Sequence, residues 1–298
     1  MSETTLHFKT ITELADLIKT KALSPVEVTE AMLSRIREQD PLYKSYATVM
    51  AEQAMASAQA AEQAIYAGNY LGPLHGVPIA VKDLCYTKGV ATMGATKALA
   101  NNVPDFDCTV VEKLNAAGAV ILGKLNLTEG AMAGYNPEFQ VPVNPWGANL
   151  WSGASSSGSG VATSAGLCYG SLGSDTGGSI RFPSAACGIV GIKPTWGRVS
   201  RYGVLALAES LDHIGPMTRS AADAGIILQA MAGLDPNDPT TLPAPVPDML
   251  EGIGQGVRGL RIGLDEEYIS GNTDPELVES VLAGIRVIEG LGAVIVPI

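Results

Sequence analysis

The stretch Gly153-Ala154-Ser155-Ser156-Ser157-Gly158-Ser159-Gly160 decides how this 298-residue sequence is interpreted. A second polar stretch, Asp175-Thr176-Gly177-Gly178-Ser179-Ile180-Arg181, follows a helical pattern at residues 161–167, and 179 − 155 = 24 positions separate two prominent serines. Glycines before Ser179 allow consecutive main-chain N–H groups to point at one spot, which an oxyanion-binding site requires. The two stretches therefore predict a reaction centre built on serine.

Lys82 is the upstream residue suited to activate such a serine. It follows an apolar run, residues 77–81, which predicts a short buried strand. Burial disfavours the ammonium form of lysine and lowers its pKa, and a neutral amine can accept a proton from a hydroxyl group. Lys82 is thus the candidate base, and the alternative is a surface lysine beside its neighbour Asp83.

Histidine, the usual partner of a catalytic serine, offers a competing interpretation. His75 and His213 are the candidates for a Ser-His-Asp triad, but Asp212 directly precedes His213, and neighbouring side chains do not usually pair in the required geometry. Both are interpreted as structural histidines bonded to the main chain. The G-x-G-x-x-G match at residues 254–259 precedes a strand instead of following one, so nucleotide binding is not predicted.

Composition and charge narrow the class of protein. Hydrophobic residues make up 46% of the sequence and charged residues 16%, which indicates a globular chain. The 19 basic and 30 acidic residues give a net charge of 19 − 30 = −11, which disfavours direct binding to nucleic acid or to an anionic membrane. No apolar run is long enough to span a membrane, and residues 1–10 do not resemble a signal peptide, so a cytoplasmic location is expected.

The cysteines are too far apart to indicate a disulfide framework or a zinc site, and they are expected to be small buried residues. They are Cys85, Cys108, Cys168 and Cys187.

Local patterns predict helices near the N-terminus and βαβ units further on. Capping boxes at Thr10–Glu13 and Ser24–Glu27 each predict the start of a helix, and the alanine-rich residues 50–67 predict another. The order strand, helix, strand is found within residues 77–122 and again within residues 260–298. Such units imply parallel pairing of their two strands.

Taken together, the two serine-containing stretches and Val81-Lys82-Asp83 resemble the amidase signature family, whose catalytic set is Ser-cisSer-Lys. The 24-residue spacing fits the family pattern. The resemblance extends over nearly the whole chain, through Gly72-Pro73-Leu74-His75-Gly76-Val77-Pro78, Gly191-Ile192-Lys193-Pro194-Thr195, Gly197-Arg198-Val199-Ser200 and Ser210-Leu211-Asp212-His213-Ile214-Gly215-Pro216.

The resemblance implies a role for each candidate residue. Ser179 would be the nucleophile, Ser155 the serine that relays its proton, and Lys82 the base. The bridging serine would follow a cis peptide bond between Ala154 and Ser155. Main-chain N–H groups would form the oxyanion hole at Thr176, Gly177, Gly178 and Ser179. Three further residues would hold the loops by hydrogen bonds, or would be ordinary loop caps: Ser156, Asp175 and Arg181.

The implied fold is an α/β amidase-signature fold, with a mixed, largely parallel sheet covered by helices on both faces. We expect a single domain over residues 1–298, with a helical segment at about 1–70 and a catalytic core at about 71–298. Two departures from the family pattern stand out. Ala154 replaces the second glycine that often precedes the paired serines, and the C-terminal elements of the family fold are absent from this sequence.

The implied function is hydrolysis of a linear carboxylic amide (EC 3.5.1.-, with 3.5.1.4 expected), acting on a small-molecule amide without a metal or other cofactor. A homodimer is the candidate assembly. The chain is also similar to the glutamine-hydrolysing component of glutamyl-tRNA(Gln) amidotransferase, its A subunit, which works with a partner protein. Residues 135–140 and Trp151 look more like stand-alone amidases. An inactive truncated scaffold is the remaining alternative.

Overall fold

The computed structural model describes residues 6–132 and 134–298, so the first five residues of the expected helical segment lie outside it. The chain divides into two compact units, Met1–Met249 and Leu250–Ile298. Within the described ranges, no helix has the length and apolar character needed to cross a membrane. The single domain over residues 1–298 stays a prediction.

The helices of the larger unit begin where the sequence predicts. Thr10 and Ser24 both form complete capping boxes, with Glu13 and Glu27 respectively, and each box satisfies main-chain N–H groups of a first helical turn. The α-helices of this unit are α1 Ile11–Lys19, α2 Pro25–Tyr43, α3 Ala51–Tyr66, α4 Thr109–Ala116, α5 Ser157–Ser164, α6 Arg181–Cys187 and α7 Ala221–Met231. Short 3-10 turns lie at Lys97–Leu99 and Glu129–Ala131.

One six-stranded sheet forms the centre of the larger unit. Its strands are β1 Tyr46–Val49, β2 Pro78–Lys82, β3 Val120–Leu125, β4 Gly170–Asp175, β5 Val190–Gly191 and β6 His213–Thr218. Their order is β1-β3-β2-β4-β6-β5. The neighbours β3, β2 and β4 are parallel, and β5 shares their direction because β4 and β5 are both antiparallel to β6. Four of the six strands therefore run one way, which confirms the mixed, largely parallel sheet.

Helices cover both faces of this sheet. Positions 170 and 173 of β4 point to opposite faces because successive strand residues alternate. A Cβ atom on Gly170 would lie 2.6 Å from Ile227 of α7. A Cβ atom on Gly173 would lie 2.9 Å from the hydroxyl group of Ser156, the residue immediately before α5. Because β4 carries glycine at both positions, the two layers can approach the sheet closely.

The smaller unit is a βαβ unit, as its sequence predicts. Strands β7 Arg261–Leu264 and β8 Val294–Pro297 pair in parallel. The connection between them contains helices α8 Glu266–Ser270 and α9 Pro275–Gly290, and α9 begins at the Asp274 cap. The glycine-rich residues 254–259 lie in turns before β7, so no helix follows them directly as a dinucleotide-binding motif requires.

Candidate active site

Lys82 ends strand β2 and is buried, with 1% of its surface exposed. Its Nζ atom lies 2.7 Å from Ser155 Oγ, 2.9 Å from Ser156 Oγ and 2.8 Å from Ser174 Oγ. These distances suit an ammonium group that donates to three hydroxyls, and equally a neutral amine that accepts one of their protons. The alternative of a surface lysine beside Asp83 is therefore wrong.

The surroundings of Lys82 lower the proton affinity of its amine. Burial lowers the pKa of Lys82 from 10.5 to about 7, although the more distant charges of Asp175 and Asp212 act in the opposite direction. Among the ion pairs of residues 6–132 and 134–298, none includes Lys82. The buried amine of Lys82 is thus much easier to deprotonate than that of an exposed lysine.

The serine stretch lies against Lys82 in an unusual backbone conformation. The Ala154–Ser155 peptide bond is cis, as the family resemblance implies. Gly153 has a φ angle of +78°, and a Cβ atom there would lie 2.2 Å from the Cα atom of Pro183. The positive φ angle and the close approach of Pro183 both require glycine at position 153. Ala154 is half-buried, and the structure accommodates its methyl group.

Ser179 lies next to this serine stretch. Its main-chain carbonyl accepts a hydrogen bond from the Ser156 N–H at 3.2 Å, and its side chain is half-buried. Within the described chain, the hydrogen bonds of Ser155 and Ser179 do not include one between the two hydroxyl groups. Catalytic hydrogen bonds often become well aligned only when substrate is bound, so this geometry is compatible with a proton relay.

Asp175 organises the loop that precedes Ser179. Its carboxylate accepts the N–H groups of Gly178 at 2.8 Å and Ile180 at 3.1 Å, and two further bonds from the Arg181 guanidinium at 2.9 and 3.0 Å. Burial opposes ionisation of Asp175, but these hydrogen bonds outweigh it and hold the pKa of the carboxyl group below its ordinary value. Asp175 and Arg181 thus hold the loop by direct bonds.

The four residues expected to supply oxyanion-hole N–H groups differ in whether that N–H group is already hydrogen-bonded within the protein. The Gly178 N–H group is already bonded to Asp175. The N–H groups of Gly177 and Ser179 donate no hydrogen bond within the part of the chain that the structure describes. The Thr176 side chain donates to Asp212 at 2.5 Å, which fixes the start of the loop. The Thr176 N–H group likewise donates no hydrogen bond within the described residues, so Thr176, Gly177 and Ser179 are the expected donors that remain available to a ligand.

Both histidines have structural partners, in agreement with the sequence interpretation. His75 Nδ1 accepts the Leu71 N–H at 3.1 Å, and His213 Nδ1 lies 3.0 Å from the Asp175 carbonyl. The Asp212 carboxylate accepts the N–H groups of Leu207 and Ala208 instead of pairing with the adjacent histidine. A Ser-His-Asp triad is not formed by these residues.

Sequence reasoning missed Ser174, whose hydroxyl contacts Lys82 directly. Ser174 lies near the carboxyl end of β4, which is adjacent and parallel to β2, so the residues at the ends of the two strands meet at one edge of the sheet. A cavity of about 550 Å³ adjoins this edge. The residues that line it include Ser174, Thr176, Trp196, Arg201, Tyr202 and Asp212.

The four cysteines are buried and form no disulfide, as expected. Among the described residues, no group of three or more histidine, cysteine, aspartate or glutamate side chains is placed to hold a metal ion.

Comparison with known proteins places this geometry in a family. The model of the Amidase family matches residues 27–298. The chain is 56% identical over 255 residues to the "Putative amidase AmiD" of Mycobacterium tuberculosis, covering 86% of this chain and 54% of that protein. It is 49% identical over 291 residues to the A subunit of the glutamyl-tRNA(Gln) amidotransferase of Geobacter metallireducens, covering 97% of this chain and 60% of that protein.

A solved structure shows the same relationship in three dimensions. The native peptide amidase of Stenotrophomonas maltophilia superposes with a TM-score of 0.88 at 34% identity, covering 98% of this chain and 62% of that enzyme. The chain thus spans between half and two thirds of the length of the relatives it matches. Since these similarities extend over most of its residues, the chain belongs to the amidase signature family.

Proposed function

We propose that this protein hydrolyses a carboxylic amide through an acyl-enzyme, with Ser179 as nucleophile. Ser179 Oγ attacks the amide carbonyl while its proton passes to Ser155, whose own proton passes to neutral Lys82. The N–H groups of Thr176, Gly177 and Ser179 hold the oxyanion. Ser155 then protonates the leaving amine and regains a proton from Lys82. Water attacks the acyl-enzyme and passes a proton through Ser155 to Lys82, and the relay returns that proton to Ser179 as the acid is released.

One observation carries this proposal. The buried Lys82 Nζ atom lies 2.7 Å from Ser155 Oγ, and its hydrogen-bond partners among the described residues are all hydroxyl groups. A buried amine without a carboxylate partner is a suitable base at neutral pH, because its proton is not held by an opposite charge. Ser156, the residue after Ser155, donates its main-chain N–H to the Ser179 carbonyl. This bond joins the segment that contains Ser155 to the proposed nucleophile.

Within this reaction class, we assign the chain to the amidases that act alone on simple amides, EC 3.5.1.4. The greater identity to "Putative amidase AmiD", 56% against 49%, supports this assignment. The glutamine-hydrolysing component of an amidotransferase remains the second candidate, because its similarity covers 97% of the chain.

The nucleophile is tested with Ser179→Ala, measured in the protein at its natural full length. We expect loss of amide hydrolysis and loss of labelling by a fluorophosphonate, which reacts with an activated serine. His213→Ala is the matched control, since His213 contacts the main chain of Asp175 beside the same loop, and it should leave labelling in place. Labelling retained in Ser179→Ala but lost in His213→Ala would refute the proposal.

The two candidate substrates are separated by measuring ammonia release. A stand-alone amidase should release ammonia from a simple aliphatic or aryl amide without a second protein. Turnover restricted to glutamine, and only after addition of a partner protein, would instead establish the amidotransferase function.

A further inference from the structure

We propose that Trp151 and Phe182 form an apolar wall beside Ser179 that binds a hydrophobic group of the substrate. The inference rests on the proposed function and names its substrate class, which is amides that carry an aromatic or branched aliphatic group. Small polar amides, glutamine among them, would gain nothing from this wall. No role of either residue in the proton relay is implied.

The position of Phe182 is fixed by the loop that carries the nucleophile. A Cβ atom on Gly178 would lie 2.3 Å from Cε2 of the Phe182 ring, so the ring packs directly on the residue before Ser179. The Phe182 N–H also donates to the Gly178 carbonyl at 2.7 Å. Gly178 has a φ angle of +130°, which further favours glycine at this point. The ring therefore stands within one residue of the proposed nucleophile.

Trp151 meets this ring from the serine stretch. The Trp151 and Phe182 ring centroids are 6.2 Å apart and the rings are tilted by 46°, a favourable arrangement for an aromatic pair. The two segments also meet next to the rings, since Gly153, two residues after Trp151, lies directly against Pro183, one residue after Phe182. Both segments that carry the proposed serines thus contribute one aromatic ring to the same surface.

The pair is open to a ligand. Within the described part of the chain, Trp151 is 58% exposed and Phe182 is 52% exposed, so about half of each residue is not covered by other described residues. Apolar area of this kind binds apolar groups because the contact removes both surfaces from water. The neighbouring Arg181 is already bonded to Asp175 through two of its nitrogens, so the carboxylate of a substrate such as glutamine would compete with an existing ion pair.

A substrate group fits this wall better than a protein partner does. Phe182, in the first turn of α6, follows Ser179 by three residues, and Trp151 precedes Ser155 by four, so both rings are close along the chain to the proposed reacting groups. A group bound on the rings would lie against the residue that precedes the proposed nucleophile.

The test compares phenylacetamide with acetamide in Trp151→Ala and Phe182→Leu. We expect Trp151→Ala to lower kcat/KM for phenylacetamide at least about tenfold, mainly through KM, and to change kcat/KM for acetamide less than about twofold. Phe182→Leu keeps an apolar side chain against Gly178 and should show a smaller selective loss. Tyr66→Ala on helix α3, where the residue is 56% exposed, is the control and should alter neither substrate.

A second measurement separates this inference from the proposed function. In Ser179→Ala, phenylacetamide should bind without turnover, and addition of Trp151→Ala should weaken that binding at least about tenfold by calorimetry. Equal losses for both amides, or unchanged phenylacetamide binding, would overturn the aromatic wall. If fluorophosphonate labels Ser179 in the wild-type protein and the wild-type protein hydrolyses acetamide, the proposed function would stand without the aromatic wall.

Discussion

Two buried lysines on neighbouring strands show how the partner of a lysine decides its chemistry. Lys82 of β2 and Lys124 of β3 lie one position apart in register and are 1% and 0% exposed. Lys124 Nζ is 3.2 Å from an Asp83 carboxylate oxygen and 2.6 Å from Thr92 Oγ1. Within the described ranges, Lys82 has three serine hydroxyls and no carboxylate as partners.

The difference follows from the free energy of placing a charge in the protein interior. Burial penalises an ammonium group, and an adjacent carboxylate offsets that penalty whereas hydroxyl groups do so only in part. Burial therefore lowers the pKa of Lys82 to about 7. Beside Lys124, burial raises the pKa of Asp83 while the lysine acts to lower it. Lys124 is thus paired with a carboxylate, whereas the described partners of Lys82 leave its amine easier to deprotonate.

Removal of the amine from Lys82 should cause the largest loss of activity. Lys82→Met should reduce kcat by a factor on the order of 10²–10⁴, the range typical of general acid–base groups, with the fold retained. Lys82→Arg should not restore activity, because a guanidinium stays protonated at any working pH. Steady-state hydrolysis and circular dichroism provide the measurements.

Near-normal turnover in Lys82→Arg would contradict the role of Lys82 as base. It would show that the residue only donates hydrogen bonds, since arginine can donate but cannot accept a proton.

The same change at Lys124 should affect stability instead. Lys124→Met leaves the Asp83 carboxylate buried without its cation, which should lower the free energy of unfolding by about 3–5 kcal/mol. Urea denaturation measures this loss, and the double variant Lys124→Met/Asp83→Leu should recover much of it because no buried charge remains. A large loss of activity per folded molecule in Lys124→Met, matching that of Lys82→Met, would remove the distinction between the two lysines.

The third prediction concerns pH. The folded-state pKa of Lys82 is about 7 and its ordinary value is 10.5, so between these values the unfolded chain binds the extra proton. The free energy of unfolding contributed by Lys82 should therefore rise with pH across this window, by up to ~1.4 kcal/mol per pH unit. The difference between wild type and Lys82→Met in urea denaturation at several pH values isolates this contribution. A difference that is flat across the window would refute the lowered pKa.

Much of the local structure could be predicted because it depends on neighbouring residues. The Thr10 and Ser24 capping boxes need only residues three positions apart, and both form as predicted. The parallel pairing of β2 with β3 and of β7 with β8 follows from the βαβ patterns. The cis peptide bond before Ser155 was implied by family resemblance, since local composition does not indicate it.

Strand β4 could not be predicted from its own residues. Its sequence, Gly170-Ser171-Leu172-Gly173-Ser174-Asp175, has the composition of a loop. It is nevertheless buried along its whole length between β2 and β6, and its glycines fit close helical layers. Tertiary packing therefore outweighs strand propensity here, and Ser174 was missed for the same reason.

The sequence separations at Lys82 have a consequence for folding. Its three serine partners are 73, 74 and 92 residues away along the chain, so the contacts must wait until long loops have closed. Before that point the lysine is solvated, protonated and ordinary, and the serines are unactivated. The proposed proton relay can therefore form only after the sheet has closed, and a nascent or partly unfolded chain should not show the proposed activity.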